Sequence, residues 1–201
     1  MKPLRHLKTI NEHRSEVRKG CFRLGLYYQG LTHDLSKYSP SEFIVGAKYY
    51  QGFRSPNNAE REDRGYSAAW LHHKGRNKHH YEYWIDYSAH SGDDFVPARM
   101  PNNYLAEMYA DRVAASKIYN KGKYTSDMPL KYLLSGKENA PIESHTKAEL
   151  TKMLTILAND GEEAAERYIR RNLLWNRAST RIADYMWERN KKKTMSGSAK
   201  Q

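Results

Sequence analysis

Residues 3–30, PLRHLKTINEHRSEVRKGCFRLGLYYQG, place Leu7, Ile10, Val17, Cys21, Leu24 and Tyr28 at intervals of three and four. That is the repeat of one helix face, so the stretch predicts a first helix from about Pro3 to about Gly30 with its apolar stripe turned to a core. His13 falls on the same stripe and is predicted to face inward. The rest of the chain reads the same way, with few alternating β-branched runs and no hairpin signal between two of them. The expected fold class is all-α.

Working outward, a short segment spans about 31–38. Ser39-Pro40-Ser41-Glu42 then looks like a helix start, with Ser39 as N-cap, Pro40 at the first helical position and Glu42 completing a capping box, for a helix ending near Tyr50. Residues 52–63, with Pro56 and two asparagines, predict an exposed loop able to border a cleft. Residues 66–87 predict helix with a break near Gly75, and 91–101 a turn-rich passage. A helix over about 102–120 carries Tyr104, Met108, Asp111, Ala115 and Ile118 on one face and stops at Gly122. A short helix near 129–134, a capping box at Thr146–Glu149 and helices over about 147–158 and 162–189 complete the pattern. In the last two, Leu150, Met153, Leu154, Leu157, Ile169, Leu173, Ile182 and Tyr185 call for packing partners. The expected organisation is a single helical domain over residues 1–190, with a metal-site core at about 11–116, C-terminal helices at about 146–189, and a disordered basic tail at 191–201.

With 201 residues the chain can bury one substantial core. No run approaches the roughly 20 apolar residues that span a bilayer, and no signal-peptide core follows the N-terminus, so a soluble, cytoplasmic protein with no membrane partner is expected. Cys21 is the only cysteine, which excludes an internal disulfide framework and a thiolate zinc site. The net charge of +11 favours a polyanionic partner, either a phosphorylated small molecule or nucleotide, or nucleic acid.

The chemistry-bearing residues follow one order: His13, then Thr32-His33-Asp34-Leu35-Ser36-Lys37, then the doublets His72-His73 and His79-His80, then Asp111. Adjacent His and Asp side chains offer one metal a nitrogen and an oxygen. His13 and Asp111 lie where periodicity demands an inward residue, and a buried carboxylate needs a cation or a metal. Asp111 could instead pair with Arg112 or a buried arginine. On an unbroken helix His73 and His80 would share one face, as would His72 and His79; the first pair is taken as ligands. Lys37 lies one helical turn from Asp34, where it could contact a phosphate oxygen or simply pair with that carboxylate. Arg76 and Lys78, with Lys74, lie between the doublets and could add phosphate contacts.

This series resembles the HD-domain superfamily of metal-dependent phosphohydrolases over about Asn11 to Ser116. The resemblance implies an HD-like helical bundle with additional C-terminal helices, holding one or two divalent transition-metal ions (Mn, Ni, Co, Zn or Fe). It makes His13, His33, Asp34 and Asp111 the primary ligands, with Asp34 bridging to a second ion on His73 and His80. Lys37 matches the lysine of the family's HD-x-x-K variants. The implied activity is hydrolysis of a nucleotide or related phosphate ester, with Asp34 and Lys37 in catalytic roles and Lys37, Arg76 and Lys78 binding substrate. Two alternatives stand beside it: a di-iron oxygenase of the same helical superfamily, and a basic nucleic-acid-binding module whose metal site is structural.

Overall fold

Pro3 at the first helical position opens α1 (Pro3–Arg23) in this computed structural model, which describes residues 1–89, 94–135 and 141–198. The helix stops short of the expected Gly30 because Gly25 turns the chain at φ 74. A Cβ on Gly25 would lie 2.6 Å from the Ser179 carbonyl oxygen, so the turn needs glycine for its backbone and for the close passage of another segment. Then come α2 (Tyr27–Thr32), a 3-10 turn at Leu35–Tyr38 and α3 (Pro40–Tyr49).

The expected loop at 52–63 is largely a helix, α4 (Pro56–Arg64). Ser55 caps it by accepting from the Asn57 N–H, Pro56 takes the first position, and Gly65 ends it at φ 78. The helix expected over 66–87 shrinks to α5 (Ala68–Lys74); beyond it lie a turn, a 3-10 turn at Tyr81–Trp84 and strand β1 (Ile85–Tyr87). Strand β2 (Phe95–Pro97) pairs antiparallel with β1, Asp86 opposite Val96, inside the passage expected to be only turns. Residues 91–93 of that passage lie outside the described residues.

Next come α6 (Asn102–Tyr119), α7 (Met128–Leu134) and α8 (Ser144–Tyr168). The cap of α8 is Glu143, which accepts from the His145 and Thr146 N–H groups, and not Thr146. Gly161, at φ 86, breaks α8 near the expected gap, and a π-helical turn at Ile169–Leu173 leads to α9 (Ala178–Ser198). The helix expected over 162–189 is thus interrupted, and α9 continues into the stretch expected to be a disordered tail; residues 199–201 lie outside the described residues. Ile182 and Tyr185 are exposed, not packed. The buried face of α9 is set by polar contacts instead, with Asp184 on Arg170 and Thr180 on the Leu24 carbonyl.

The architecture is all-α apart from the small hairpin. Val17 and Cys21 of α1 and Leu24 at its C-cap meet Leu105, Tyr109 and Val113 of α6 and Leu150, Leu154 and Leu157 of α8 in one core. Each such side chain contributes about 1.5 to 3 kcal/mol on burial. A Cβ on Gly20 would sit 3.3 Å from the Ala110 Cβ. That close approach of α1 to α6 lets His13 reach Asp111 across the interface. No helix among the described residues is long and apolar enough to cross a membrane.

Candidate metal centre

His33 and Asp34 sit where α2 ends and the 3-10 turn begins. Asp34 adopts φ 55 and ψ 25, and it is the one non-glycine residue with positive φ among the described residues. Left-handed backbone is tolerated by Asp but costs energy, and such strain persists where the surroundings fix it. Here Arg14 fixes it, donating from Nε to the His33 carbonyl at 2.8 Å and from Nη2 to the Leu31 carbonyl at 3.1 Å. The turn drives the Asp34 carboxylate into the interior, where only 1% of the residue is exposed.

Around that carboxylate two groups form. His13, His33, Asp34 and Asp111 make the first, with His13 Nε2 2.8 Å from Asp111 Oδ1 and His33 Nε2 3.2 Å from Asp34 Oδ2. Asp34, His73, His79 and His80 make the second, with His73 Nε2 and His79 Nε2 at 3.3 and 3.4 Å from Asp34 Oδ1. All six residues expected as ligands are therefore brought to one place. His79 joins them although the expected pair is His73 and His80: a choice between two helical pairs needs an unbroken helix, but α5 ends at Lys74 and the chain turns back. Asn77 pins that turn, its Nδ2 donating to the His73 carbonyl and to Ser36 Oγ, both at 2.8 Å. Both members of the second doublet therefore reach the centre. His72 is outside it, with Nδ1 2.7 Å from Glu42 Oε1.

Two carboxylates aim the imidazoles. Glu107 Oε1 accepts from His33 Nδ1 at 2.9 Å and from His79 Nδ1 at 3.1 Å, and Glu42 Oε2 accepts from His73 Nδ1 at 2.8 Å. An imidazole that donates from Nδ1 to a carboxylate is aimed so that its Nε2, once it gives up its proton, ligates a metal. Neither carboxylate was identified in the sequence. Glu107 could have been, since it lies four residues before Asp111 on the same face of α6. Glu42 was read as part of a capping box; Ser39 is the N-cap but makes no side-chain cap bond, and the Glu42 carboxylate serves His72 and His73.

The buried nitrogens His13 Nε2, His33 Nε2, His79 Nε2 and His80 Nε2, and both Asp34 oxygens, make no hydrogen bond of good geometry. Buried polar atoms are otherwise nearly always satisfied, so six gathered in two groups around Asp34 fit one or two divalent metal ions. The buried His, Asp and Glu groups could hold such an ion. Burial pushes the Asp34 carboxyl up, but His33 and Lys37 beside it outweigh this and hold it well below the usual carboxylate range. Asp111 is held down in the same way against burial by His13 and His33. Both carboxylates are therefore anionic at neutral pH, as ligands must be.

The centre opens on a cavity of about 700 Å³, within the range of small-molecule sites. Lys37 lines it, with Nζ 2.6 Å from Asp34 Oδ2. Residues 53–58 border it as expected, though partly as helix. Arg76 and Lys78 do not line it: Arg76 donates to the His72 carbonyl on the surface, and the Lys78 ammonium lies over the Tyr83 and Tyr104 rings. The end of α5 directs that turn outward, and the cations that line the cavity wall with Lys37 are instead Arg54, Arg112 and Lys131, against the acids Glu42, Glu82 and Asp111.

Glu107→Gln is expected to weaken metal affinity about 10- to 100-fold, because one neutral amide oxygen replaces the charged acceptor of two ligands. Chelator competition measures it, and unchanged affinity would remove Glu107 from the centre.

A family model described as a family of unknown function (DUF5662) matches residues 2–156, which is most of the chain and includes every residue of the centre, so the chain belongs to that family. No curated protein and no solved structure matches it.

Proposed function

We propose that this member of the family is a metal-dependent phosphohydrolase of the HD-domain kind, acting on a nucleotide or related phosphate ester. The observation that carries the reading is the Asp34 carboxylate. Its Oδ2 faces His33 and Lys37 and its Oδ1 faces His73 and His79, as suits a ligand shared between two cations. The chain order of the ligands and the all-α fold support the same reading.

One or two divalent transition-metal ions, from among Mn, Ni, Co, Zn and Fe, would supply Lewis acidity that activates water and polarises a phosphoryl group. The protein's part is arrangement. Glu107 and Glu42 fix the imidazoles before substrate arrives, so no reorganisation is needed at the reacting phosphorus. Lys37 stands between Asp34 and the cavity and provides a positive charge for a phosphoryl oxygen. Arg54, Arg112 and Lys131 also line the walls, Arg54 paired with Glu62 and Lys131 with Asp127, and would offer further positive charge to an anion.

The test combines metal analysis of protein purified without added metal with a panel of nucleotides and simple phosphate esters. Hydrolysis that is abolished by chelation and restored by one of the named metals is expected. Inactivity on every ester in the metal-loaded protein would overturn the reading; bound iron with oxygen uptake would then favour the oxygenase. Salt-sensitive nucleic-acid binding that survives loss of Asp34 would favour the binding module.

Lys37→Ala is expected to cost about 2 to 4 kcal/mol at the transition state, roughly 30- to 1,000-fold in rate, with metal content unchanged. Metal is retained because Lys37 competes for Asp34 and ligates nothing itself. Parallel kinetics and metal quantification check it, and loss of metal along with rate would show that Lys37 acts on the centre and not on the phosphate.

A further inference from the structure

His6 lies seven residues before His13 on α1, two turns along the same face, or roughly 10.5 Å. It lines the cavity with Lys37 and His13 but belongs to neither ligand group. The residue is 8% exposed, and its buried Nδ1 has no hydrogen-bond partner. A histidine kept for packing normally satisfies its buried nitrogens, and leaving one unmet costs about 1 to 3 kcal/mol.

The fold also makes room for this ring. A Cβ on Gly46 of α3 would fall 2.2 Å from His6 Nε2, so the imidazole occupies the space of the missing side chain. Phe43 and Tyr50 flank it at ring-centroid separations of 5.5 and 5.7 Å. One turn closer to His13, Thr9 Oγ1 and the Tyr50 hydroxyl are hydrogen-bonded at 2.7 Å. Burial and the Lys37 charge push His6 down to about 4, so the ring is neutral near pH 7. The subsite is thus a neutral imidazole with aromatic walls and two hydroxyls, beyond the cation that would meet the phosphate. Such a set suits an uncharged, hydroxyl-bearing group better than a second anion.

We propose that His6 is a specificity-determining residue that hydrogen-bonds a hydroxyl on the leaving group, so that the preferred substrates are phosphomonoesters of polyhydroxylated alcohols such as sugars. The proposal rests on the phosphohydrolase reading, and a binding readout that needs no turnover tells the failure of one from the failure of the other.

The full-length, metal-loaded protein would be assayed on ribose 5-phosphate and on phenyl phosphate, whose leaving group has no further hydroxyl. His6→Ala is expected to lower kcat/KM for ribose 5-phosphate about 10- to 100-fold and to change that for phenyl phosphate less than about threefold, since the lost contact is one hydrogen bond to a site built for it. Gly46→Ala keeps the imidazole but displaces it, at a position where alanine favours helix, and should give the same selective loss; it serves even where His6→Ala fails to fold. As a binding readout, NMR signals of the His6 ring should shift with the non-hydrolysable methylene phosphonate of ribose and not with inorganic phosphate. Equal losses on both esters, no loss on either, or a ring that responds to inorganic phosphate alone would overturn the proposal. If neither ester is hydrolysed while the ring still responds to the ribose phosphonate, the phosphohydrolase reading fails and the subsite stands.

Discussion

Asp34→Ala is expected to strip the centre of metal and to lower phosphohydrolase activity by more than about 1,000-fold, while the helical circular dichroism spectrum is retained. The size of the effect follows from position. Asp34 is the one residue common to the groups His13–His33–Asp34–Asp111 and Asp34–His73–His79–His80, so its loss disables both halves together. It also leaves five imidazoles with less negative charge to hold a cation among them. Alanine adds a second effect, because Asp34 stands at φ 55, where Asp and Asn are tolerated better than Ala. Asp34→Asn separates the two: it keeps the left-handed turn and the side-chain shape but offers neutral ligand atoms. Both variants should lose metal, and Asn should fall nearer to wild type in thermal stability. Wild-type metal stoichiometry in folded Asp34→Asn would sink the bridging assignment, and full activity would sink the function with it.

The residues that carry chemistry were more legible than the backbone that presents them. His13 and Asp111 could be placed inward because helices α1 and α6 are long and their apolar neighbours recur every three to four residues. His79 could not, because choosing between the doublets assumed a continuous helix through Gly75. Gly75 signals the break, but the path after it is an arrangement in space: Asn77 bonds Ser36 Oγ, which is 41 residues away in the chain. Glu42 shows a different limit. A serine followed three residues later by glutamate signals a helix start, and the helix does start there, but the carboxylate's partners are two histidines about 30 residues on. Arg76 and Lys78 were chosen for proximity in sequence to ligands, whereas the cations on the cavity wall come from the chain before α4, from α6 and from α7. The α4 helix was legible but overlooked: Ser55-Pro56 and Gly65 are start and stop signals that the Pro- and Asn-rich composition obscured.

Arg170→Ala is expected to destabilise the fold by about 3 to 5 kcal/mol without changing metal stoichiometry, the largest stability effect anticipated for a residue away from the centre. Periodicity had assigned the docking of α9 to Ile182 and Tyr185, yet these are 56% and 66% exposed. What holds the helix is the fully buried Arg170 guanidinium. It donates to Asp184 at 2.8 Å and to the Arg23 carbonyl at 3.2 Å, and lies 5.7 Å from the Trp187 ring centroid. It therefore joins the end of α1, the π-helical turn and α9. Burial raises the Asp184 carboxyl, but Arg170 and Arg171 override that and keep it ionised. Deleting the buried arginine leaves this charge with only the more exposed Arg171, which is why the loss exceeds the net worth of the pair. For a chain of this size the loss corresponds to a fall in Tm of about 6 to 20 °C. Calorimetry in chelator, which removes stabilisation by bound metal, measures it. A double variant, Arg170→Met with Asp184→Leu, replaces the ion pair by apolar packing and should recover much of the deficit. A fall of less than about 2 °C in Arg170→Ala, or a double variant no more stable than the single, would show that α9 is held by contacts other than this buried pair.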